Sequence, residues 1–507
     1  MPQNTGLISE GETPVAQREY KSYVVLIGLE IHVQLATATK MFTSVANGAT
    51  NFGAPPNSLV DPVILGLPGA LPVINKKAVE YSIRVGLALG CRVNPHTKWD
   101  RKSYYYPDLP KNYQISQYDL PLCEAGVFEL PLPDGTLKTI RIRRAHLEED
   151  AGKLMHEAPG GYSIDHSIVD LNRAGTPLLE IVTEPDFTTG EQVAAFGQEL
   201  QKLVQYLGVS EGQMQMGHMR FEPNINLHIT DQDDHVIKTA ITEIKNLNSF
   251  EALRKASNYE AKRQLHEWTH TGALGKKSTY GWDSVREVSV HQRDKEEAND
   301  YRYFPDPDLV PVDIDDAWLA EIKASIGELP AERRERYVKQ LGLSEIDAAI
   351  IADDKPTAEL YESILKHNAD PKRISNLLLS HAKRLANERS ISIGKLGIKP
   401  ERFAEMAALI ADSKIAASAA GAIFDALIAQ DAPAEQIAAS LGLIQISDTV
   451  AIDAAIDALI AQNPRPLQDF RAGKQAALGA LVGMVMKSAK GLNPKLVQER
   501  LKTKASA

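Results

Sequence analysis

The chain is poor in cysteine: Cys91 and Cys123 are the only two thiols in 507 residues. Two thiols cannot build a disulfide framework or a four-thiolate zinc site. Neither sits in a recognisable nucleophile motif, so both read as small core residues of a protein kept in a reducing cytoplasm. Long apolar runs are also missing; the longest falls far short of the ~20 residues of a membrane span. The first residues carry Glu10, Glu12 and Glu19 without an apolar stretch. They show no signal or transit peptide, and residues 1–20 read as a disordered leader. No Gly-x4-Gly-Lys-Ser/Thr loop occurs, since Gly473-Lys474 lacks the upstream glycine, and no kinase motif set appears. Fixed-period repeats and low-complexity tracts are absent.

What is present is the composition of a soluble protein with proper cores, 43% hydrophobic and 24% charged. At ~150 residues per domain the length allows two to four domains. The net charge of -10 argues against an indiscriminate nucleic-acid binder. Yet from Arg471 to Ala507 there are eight Lys/Arg against the single Glu499, a balance of +7 that leaves -17 on the rest. An acidic body with a basic tail suggests two jobs.

From Tyr23 to about Val312 strands interleave with short helices, separated by turn signals such as Pro55-Pro56, Gly66-Leu-Pro-Gly69 and Pro133-Asp-Gly135. Helices are predicted over Asn75 to Leu89, with Asn75 as cap, and over Glu191 to Leu207. From Asp315 helical periodicity and alanine dominate. Helices are expected from Leu329, over Pro356 to His367 and over Pro371 to Asn387, with a further boundary near Ile398-Lys-Pro400. The expected domains are 21–314, 315–399 and 400–507.

The stretch Gly28-Leu-Glu-Ile-His-Val-Gln34 follows the apolar run Val24 to Ile27 and alternates strictly. Leu29, Ile31 and Val33 take one face; Glu30, His32 and Gln34 take the other. By itself this is an ordinary half-wet strand or a metal-holding one. Company adds weight. Arg141 to Asp150 is strand-like and ends in three acids. Glu180 and Glu184 share a face of Thr176 to Glu184. Arg220, Glu222, Asn224 and Asn226 share a face of Met219 to Ile229, and Glu243 and Lys245 share another. Paired in one sheet, these strands would crowd carboxylates that only a cation makes tolerable. Carboxylates with one His and no Cys favour Mg²⁺ or Mn²⁺ over zinc. Arg220 and Lys245 would then neutralise a transferring phosphoryl group.

Asp100 to Lys111, with Arg101, Lys102, Tyr104, Tyr106 and Lys111, and its smaller analogue Asp300 to Asp306, with Arg302, interleave tyrosine and basic residues on Pro-rich loops. Such loops either stack a base and clamp a phosphate or pack as rigid structure. In the tail, Lys474, Lys487, Lys490 and Lys495 either line an RNA backbone or decorate a solvated basic helix.

These motifs together resemble, from about Tyr23 to Lys504, the B subunits of bacterial aspartyl/glutamyl-tRNA(Asn/Gln) amidotransferases. The similar stretches are Ile27-Gly-Leu-Glu-Ile-His-Val-Gln34, Asp100 to Gln117, His146-Leu-Glu-Glu-Asp-Ala-Gly-Lys153, Asn172 to Asp186, Glu243 to Phe250 and Asp300 to Asp306. The resemblance implies an α+β fold: a glutamine-synthetase-like antiparallel-sheet cradle, then an all-α helical domain and a small all-α YqeY-like tail that grips tRNA. It implies use of ATP and Mg²⁺ to phosphorylate the side-chain carboxylate of Glu or Asp mischarged on tRNA(Gln) or tRNA(Asn). Ammonia would come from an amidase-type A subunit, held by a small C subunit; no glutaminase Cys or Ser-Ser-Lys constellation is visible here. It implies metal ligands at Glu30, His32, Glu149, Glu180 and Glu222, with Glu149, Arg220 and Lys245 catalytic. Alternation alone does not choose Glu149 over Glu148. Where many relatives carry two Cys pairs, this chain has Thr43, Val45, Asp61 and Ile64, so no structural zinc is expected. Two rivals remain: an RNA-binding scaffold without its own catalytic site, and a stand-alone amide ligase for a small molecule.

Overall fold

A computed structural model describes residues 18–158, 161–294, 298–367, 369–446, 448–462, 464–471, 474, 476–488 and 491–506. The expected leader falls almost entirely outside them. The chain divides into two compact units, residues 1–327 and 328–507.

In the first unit the described residues form a ten-stranded sheet. Its strands, in chain order, are β1 (Tyr20–Gln34), β2 (Arg92–Val93), β3 (Cys123–Pro131), β4 (Leu137–Glu149), β5 (Pro177–Thr183), β6 (Met219–Asp231), β7 (Val236–Lys238), β8 (Thr242–Lys245), β9 (Ser278–Asp283) and β10 (Val288–Asp294). The spatial order is β10-β9-β8-β6-β1-β5-β4-β3-β2, with β7 on β6. β1 lies between β5 and β6 and pairs antiparallel with both. The sheet is mixed, where an antiparallel one was expected. β8 and β9 run parallel because a long helix, α3 (Phe250–Thr271), carries the chain back between them.

One face of the sheet is apolar. Leu29, Ile31 and Val33 of β1 and Phe221, Ile225 and Leu227 of β6 are buried there. The Phe221 ring meets Phe250 of α3 at 5.8 Å. Helix α1 (Lys76–Ala88) is capped by the Asn75 side chain, and α2 (Gly190–Tyr206) by Thr189, at the predicted places. Sequence periodicity gives no signal for α3, since its buried side includes Ser257, Glu260 and Gln264 beside Ala and Leu. These polar groups are satisfied: Gln264 Nε2 donates to the Ile225 carbonyl at 3.1 Å, and Arg263 pairs with Glu260 at 2.6 Å. Helix α4 (Asp316–Ile326) packs on α1, and the Trp318 indole donates to Glu80 at 3.4 Å. The first compact unit therefore runs past the change from strand to helix expected at 314/315.

Thr43, Val45, Asp61 and Ile64, the positions where the resemblance implied cysteines, lie in one loop region. Thr43 donates to the Asp61 carboxylate, whose other oxygen accepts from the Ile64 amide at 2.9 Å. The Val45 carbonyl accepts from the Lys40 amide at 2.9 Å.

In the described residues of the second unit the chain is helical. One apolar core runs from Tyr337 to Ala438 and joins Tyr361, Ile374, Phe403 and Phe424. It crosses the expected boundary at 399/400, because Pro400 only opens a new helix (Pro400–Ala411) after a turn at Gly397, whose φ is 79°. A second core spans Ile452 to Leu501. The change of core thus falls between Ala438 and Ile452. Among the described residues no helix is long and apolar enough to cross a membrane.

Helices α2 and α3 touch where Gly190 faces Arg254, and a methyl group there would overlap the Arg254 carbonyl oxygen. Gly190→Ala is expected to lower the unfolding midpoint of the first unit by the equivalent of about 1–3 kcal/mol. All four tryptophans, Trp99, Trp268, Trp282 and Trp318, lie in this unit, so urea unfolding followed by Trp fluorescence reads it selectively. Gly479→Ala, in an open helical position of the second unit, should leave that transition where it is.

Candidate active site

The opposite face of the sheet is polar and floors a cavity of about 580 Å³. Register builds it. His32 on β1 stands opposite Glu180 on β5 and Arg220 on β6, and Glu180 stands opposite His146 on β4. The next row runs Glu222, Glu30, Val182, Arg144. Cross-strand neighbours lie ~4.5–5.5 Å apart at Cβ, so their side chains interact directly.

Two acid clusters result. In the first, His32 Nε2 lies 3.7 Å from Glu148 Oε1 and 3.6 Å from Glu180 Oε2. In the second, Glu30, Glu222 and Glu243 converge. Within each cluster the ligand atoms lie within 4.8 Å of one another. The second already contains a cation: Lys245 Nζ is 2.6 Å from Glu222 and 3.8 Å from Glu243. Asn224 donates to Glu30 at 3.0 Å and Thr279 to Glu243 at 2.8 Å.

The electrostatics of the first cluster follow from burial. Burial, then the Glu180 charge, pushes the Glu148 carboxyl up to about 7. Burial drives His146 down to about 3, so its imidazole is neutral. Burial opposes a proton on His32, but the hydrogen bond and charge of Glu180 outweigh it and raise His32 above the usual imidazole value. Glu180 is held low against its own burial by the His146 and His32 imidazoles and the Lys102 ammonium. A histidine and two carboxylates, two of them uncomfortable in their charge state, form a donor set that fits a hard divalent cation.

The sequence-predicted residues separate here. Glu30, His32, Glu180, Glu222, Arg220, Lys245, Lys102, Tyr104 and Tyr106 all line the cavity. Glu149 does not. It points to the other side of β4, buried, where it takes the Lys111 ammonium and accepts from the Ile115 amide at 3.0 Å. Neighbours on a strand face opposite ways, so Glu148 and Glu149 cannot both reach the cluster, and Glu148 is the one that does. Lys111 is consequently a structural partner of Glu149. Arg101 also falls outside the cavity lining: Nε donates to Asp306 at 2.7 Å and Nη2 to Asp308 at 2.9 Å, tying the two tyrosine-rich loops together. Arg302 reaches the Tyr105 hydroxyl at 3.2 Å, likewise outside the lining. Glu184, just beyond β5, pairs at 2.9 Å with Arg143, which also lines the cavity. Lys474, Lys487 and Lys495 are exposed in the second unit, and Lys490 lies outside the described residues.

Glu148, His146, Arg144 and Asp150 also line the cavity, with Tyr118, Tyr301 and Tyr303; the sequence set Glu148 and Asp150 among three acids at a strand end and Tyr301 and Tyr303 in a tyrosine-rich stretch without singling them out. Asp150 Oδ2 accepts from Gln34 Nε2 at 2.8 Å and Arg220 Nη2 at 2.9 Å, which fixes the Arg220 guanidinium. Tyr118 and Tyr303 stack at 4.3 Å, and Lys102 Nζ lies 4.9 Å over the Tyr301 ring.

Glu148 and Glu149 should respond oppositely to neutralisation in EDTA. Glu148's folded pKa lies above its unfolded value, so the penalty of burying its charge grows as pH rises from the ordinary carboxylate range to about 7 and is full above that. Glu148→Gln is expected to stabilise the first unit at pH 8 by roughly 1–3 kcal/mol, and less at pH 5. Glu149→Gln strands the Lys111 charge and should destabilise by roughly 3–5 kcal/mol. Thermal unfolding at the two pH values checks both signs.

The comparisons agree with this architecture. The profile of the GatB/GatE catalytic domain matches residues 25–320, and that of the GatB domain matches residues 359–504. The B subunit of the aspartyl/glutamyl-tRNA(Asn/Gln) amidotransferase of Carboxydothermus hydrogenoformans is 44% identical, over 96% of this chain and 99% of that protein. The protein of the same name from Rhodopirellula baltica is 44% identical over 94% and 95%, and that from Thermodesulfovibrio yellowstonii 43% identical over 94% and 98%. With a catalytic-domain match over more than half its length and relatives this similar end to end, the chain belongs to the GatB family of amidotransferase B subunits.

Proposed function

We propose that this chain is the subunit that activates the side-chain carboxylate of glutamate or aspartate mischarged on tRNA(Gln) or tRNA(Asn), in the cytoplasm, so that ammonia can convert it to the amide. One observation carries the reading: in a chain of this family, His32, Glu148 and Glu180 converge in a cavity that Lys102, Arg144 and Arg220 also line. A carboxylate is inert toward ammonia. Its oxygen attacks the γ-phosphorus of ATP, ADP leaves, and the resulting acyl phosphate loses phosphate when ammonia adds to the carbonyl carbon.

Mg²⁺ fits the first cluster better than the second, where Lys245 already supplies positive charge. When bound, the ion would draw charge from phosphate oxygens. Arg220, fixed by Asp150 and Gln34, and Lys102, held over Tyr301, orient and neutralise the anions that enter. An amidase-type partner would supply the ammonia, and a small third subunit would hold the two together. The glutamine-synthetase-like cradle reading accommodates a polar site on one face of a sheet with helices on the other. The basic helices at the chain's end, with exposed Lys487 and Lys495, suit the backbone of the tRNA.

Glu180→Ala in the assembled complex, given mischarged tRNA, ATP and Mg²⁺, should cut ATP-dependent amide formation by about 100-fold or more while the partner's glutaminase activity persists. Normal amide formation would favour a tRNA-binding scaffold instead. Cation binding should also track pH. Glu148 takes up a proton as pH falls through about 7, and a protonated carboxyl is no ligand, so Mn²⁺ affinity read by paramagnetic resonance should drop by about tenfold per pH unit below that point. Glu148→Gln should flatten this slope.

A further inference from the structure

The arginines around the β4 edge of the cavity are paired with acids, with one exception. Arg141 holds Asp186 at 2.6 Å and Arg143 holds Glu184 at 2.9 Å. Glu124, directly across from Arg144 on β3, is taken by Arg92. Arg144 is left with a single neutral acceptor: Nη1 donates to the Tyr118 carbonyl at 3.2 Å. Its Nε is sealed from solvent and has no hydrogen-bond partner among the described residues. That carbonyl bond fixes one arm of the guanidinium and leaves the Nε–Nη2 edge unused. This edge presents two parallel N–H groups and matches a carboxylate or phosphate bidentately. Arg144 itself lines the cavity, on the same face of β4 as His146 and Glu148, and diagonal to Glu180 across the β4–β5 pair.

Resting on the reaction proposed above, we infer that Arg144 is the residue that anchors a substrate oxyanion beside the acid cluster. A buried donor without an acceptor is a standing cost of the ligand-free protein, and an oxyanion on the Nε–Nη2 edge removes it. Two substrate groups share this chemistry, the phosphates of the nucleotide and the side-chain carboxylate carried by the tRNA. Each would lie with its charge between a guanidinium and the cation cluster.

The test uses the full chain assembled with its partner subunits, as wild type, Arg144→Lys and Arg144→Ala. Amide formation is measured against ATP at saturating glutamate-bearing tRNA, and against that tRNA at saturating ATP. Arg144→Ala should raise one KM by about tenfold or more, with complex assembly and glutaminase activity unchanged. Arg144→Lys should fall between, and added guanidinium ion should restore part of the loss. A rise confined to ATP assigns the phosphates; a rise confined to the tRNA assigns the carboxylate. Values within twofold of wild type for both substrates overturn the inference, as does a loss that neither guanidinium nor the Lys variant relieves. Equilibrium binding of ATP and of the charged tRNA to the same variants is read without turnover. An inactive wild type would therefore sink the proposed reaction, while the binding data still decide on Arg144.

Discussion

Placing Glu148 and Glu180 against the same imidazole, out of water, is the demand that the first unit is arranged to meet. Each buried carboxylate loses hydration, and each destabilises the other's charge. His32 and Lys102 provide the counter-charge, and Ser116 donates to Glu148 at 3.0 Å. These groups come from separate strands, Lys102 and Ser116 from a small sheet of their own, so the cluster exists only if β1, β4 and β5 keep their register. A slip of one residue on β1 would turn Glu30 and His32 into the apolar layer and Leu29 and Ile31 into the cavity. The packing of Phe221 on Phe250, and of α2 on α3, therefore holds the charged face as firmly as the greasy one.

The same accounting separates the two acid clusters. Glu30, Glu222 and Glu243 have Lys245, whose ammonium is kept charged against its burial by Glu222 and Glu243. Their charge is met from within the chain. Among the described residues Glu148 has no such partner within ion-pair distance except imidazoles, and burial, then the Glu180 charge, raises its carboxyl to about 7. A site that a protein leaves electrostatically unfinished is where an outside cation gains most, and this asymmetry ranks the two clusters.

Much of this was legible in the sequence, and the part that was not has a physical reason. The β1 alternation, the Asn75 cap and the Glu222/Lys245 faces are local signals, readable because period and capping chemistry act over a few residues. The choice between Glu148 and Glu149 is not local. Along β4, Ile140 and Ile142 are buried, and beyond them so are Ala145 and Leu147. The buried side changes parity where the register with β5 skips Arg143. Alternation carried forward from Ile140 would put His146 and Glu148 in the core; only the bulge sends them to the cavity. Family resemblance did not detect that change either, and pointed to Glu149. Helix α3 escaped for the opposite reason: its buried face holds a hydrogen-bonded polar network, which mimics an exposed helix in composition. The boundary expected at 399/400 lies near Ile398-Lys-Pro400, and a proline that opens a helix does so within one core as readily as between domains.

The cavity carries charge of both signs side by side, and under the proposed reaction this bears on turnover as well as binding. The side-chain carboxylate enters as an anion and leaves as a neutral amide. The cations Lys102, Arg144 and Arg220 attract the first and have no charge to grip in the second. Product therefore loses an interaction that substrate had, without any movement of the protein. The neutral His146 fits this scheme. A charged imidazole there would compete for Glu180 and add positive charge beside the cation cluster, whereas burial keeps it uncharged across the physiological range. The site thus concentrates its positive charge where anions would arrive and keeps it off the residue that stands behind the clustered acids.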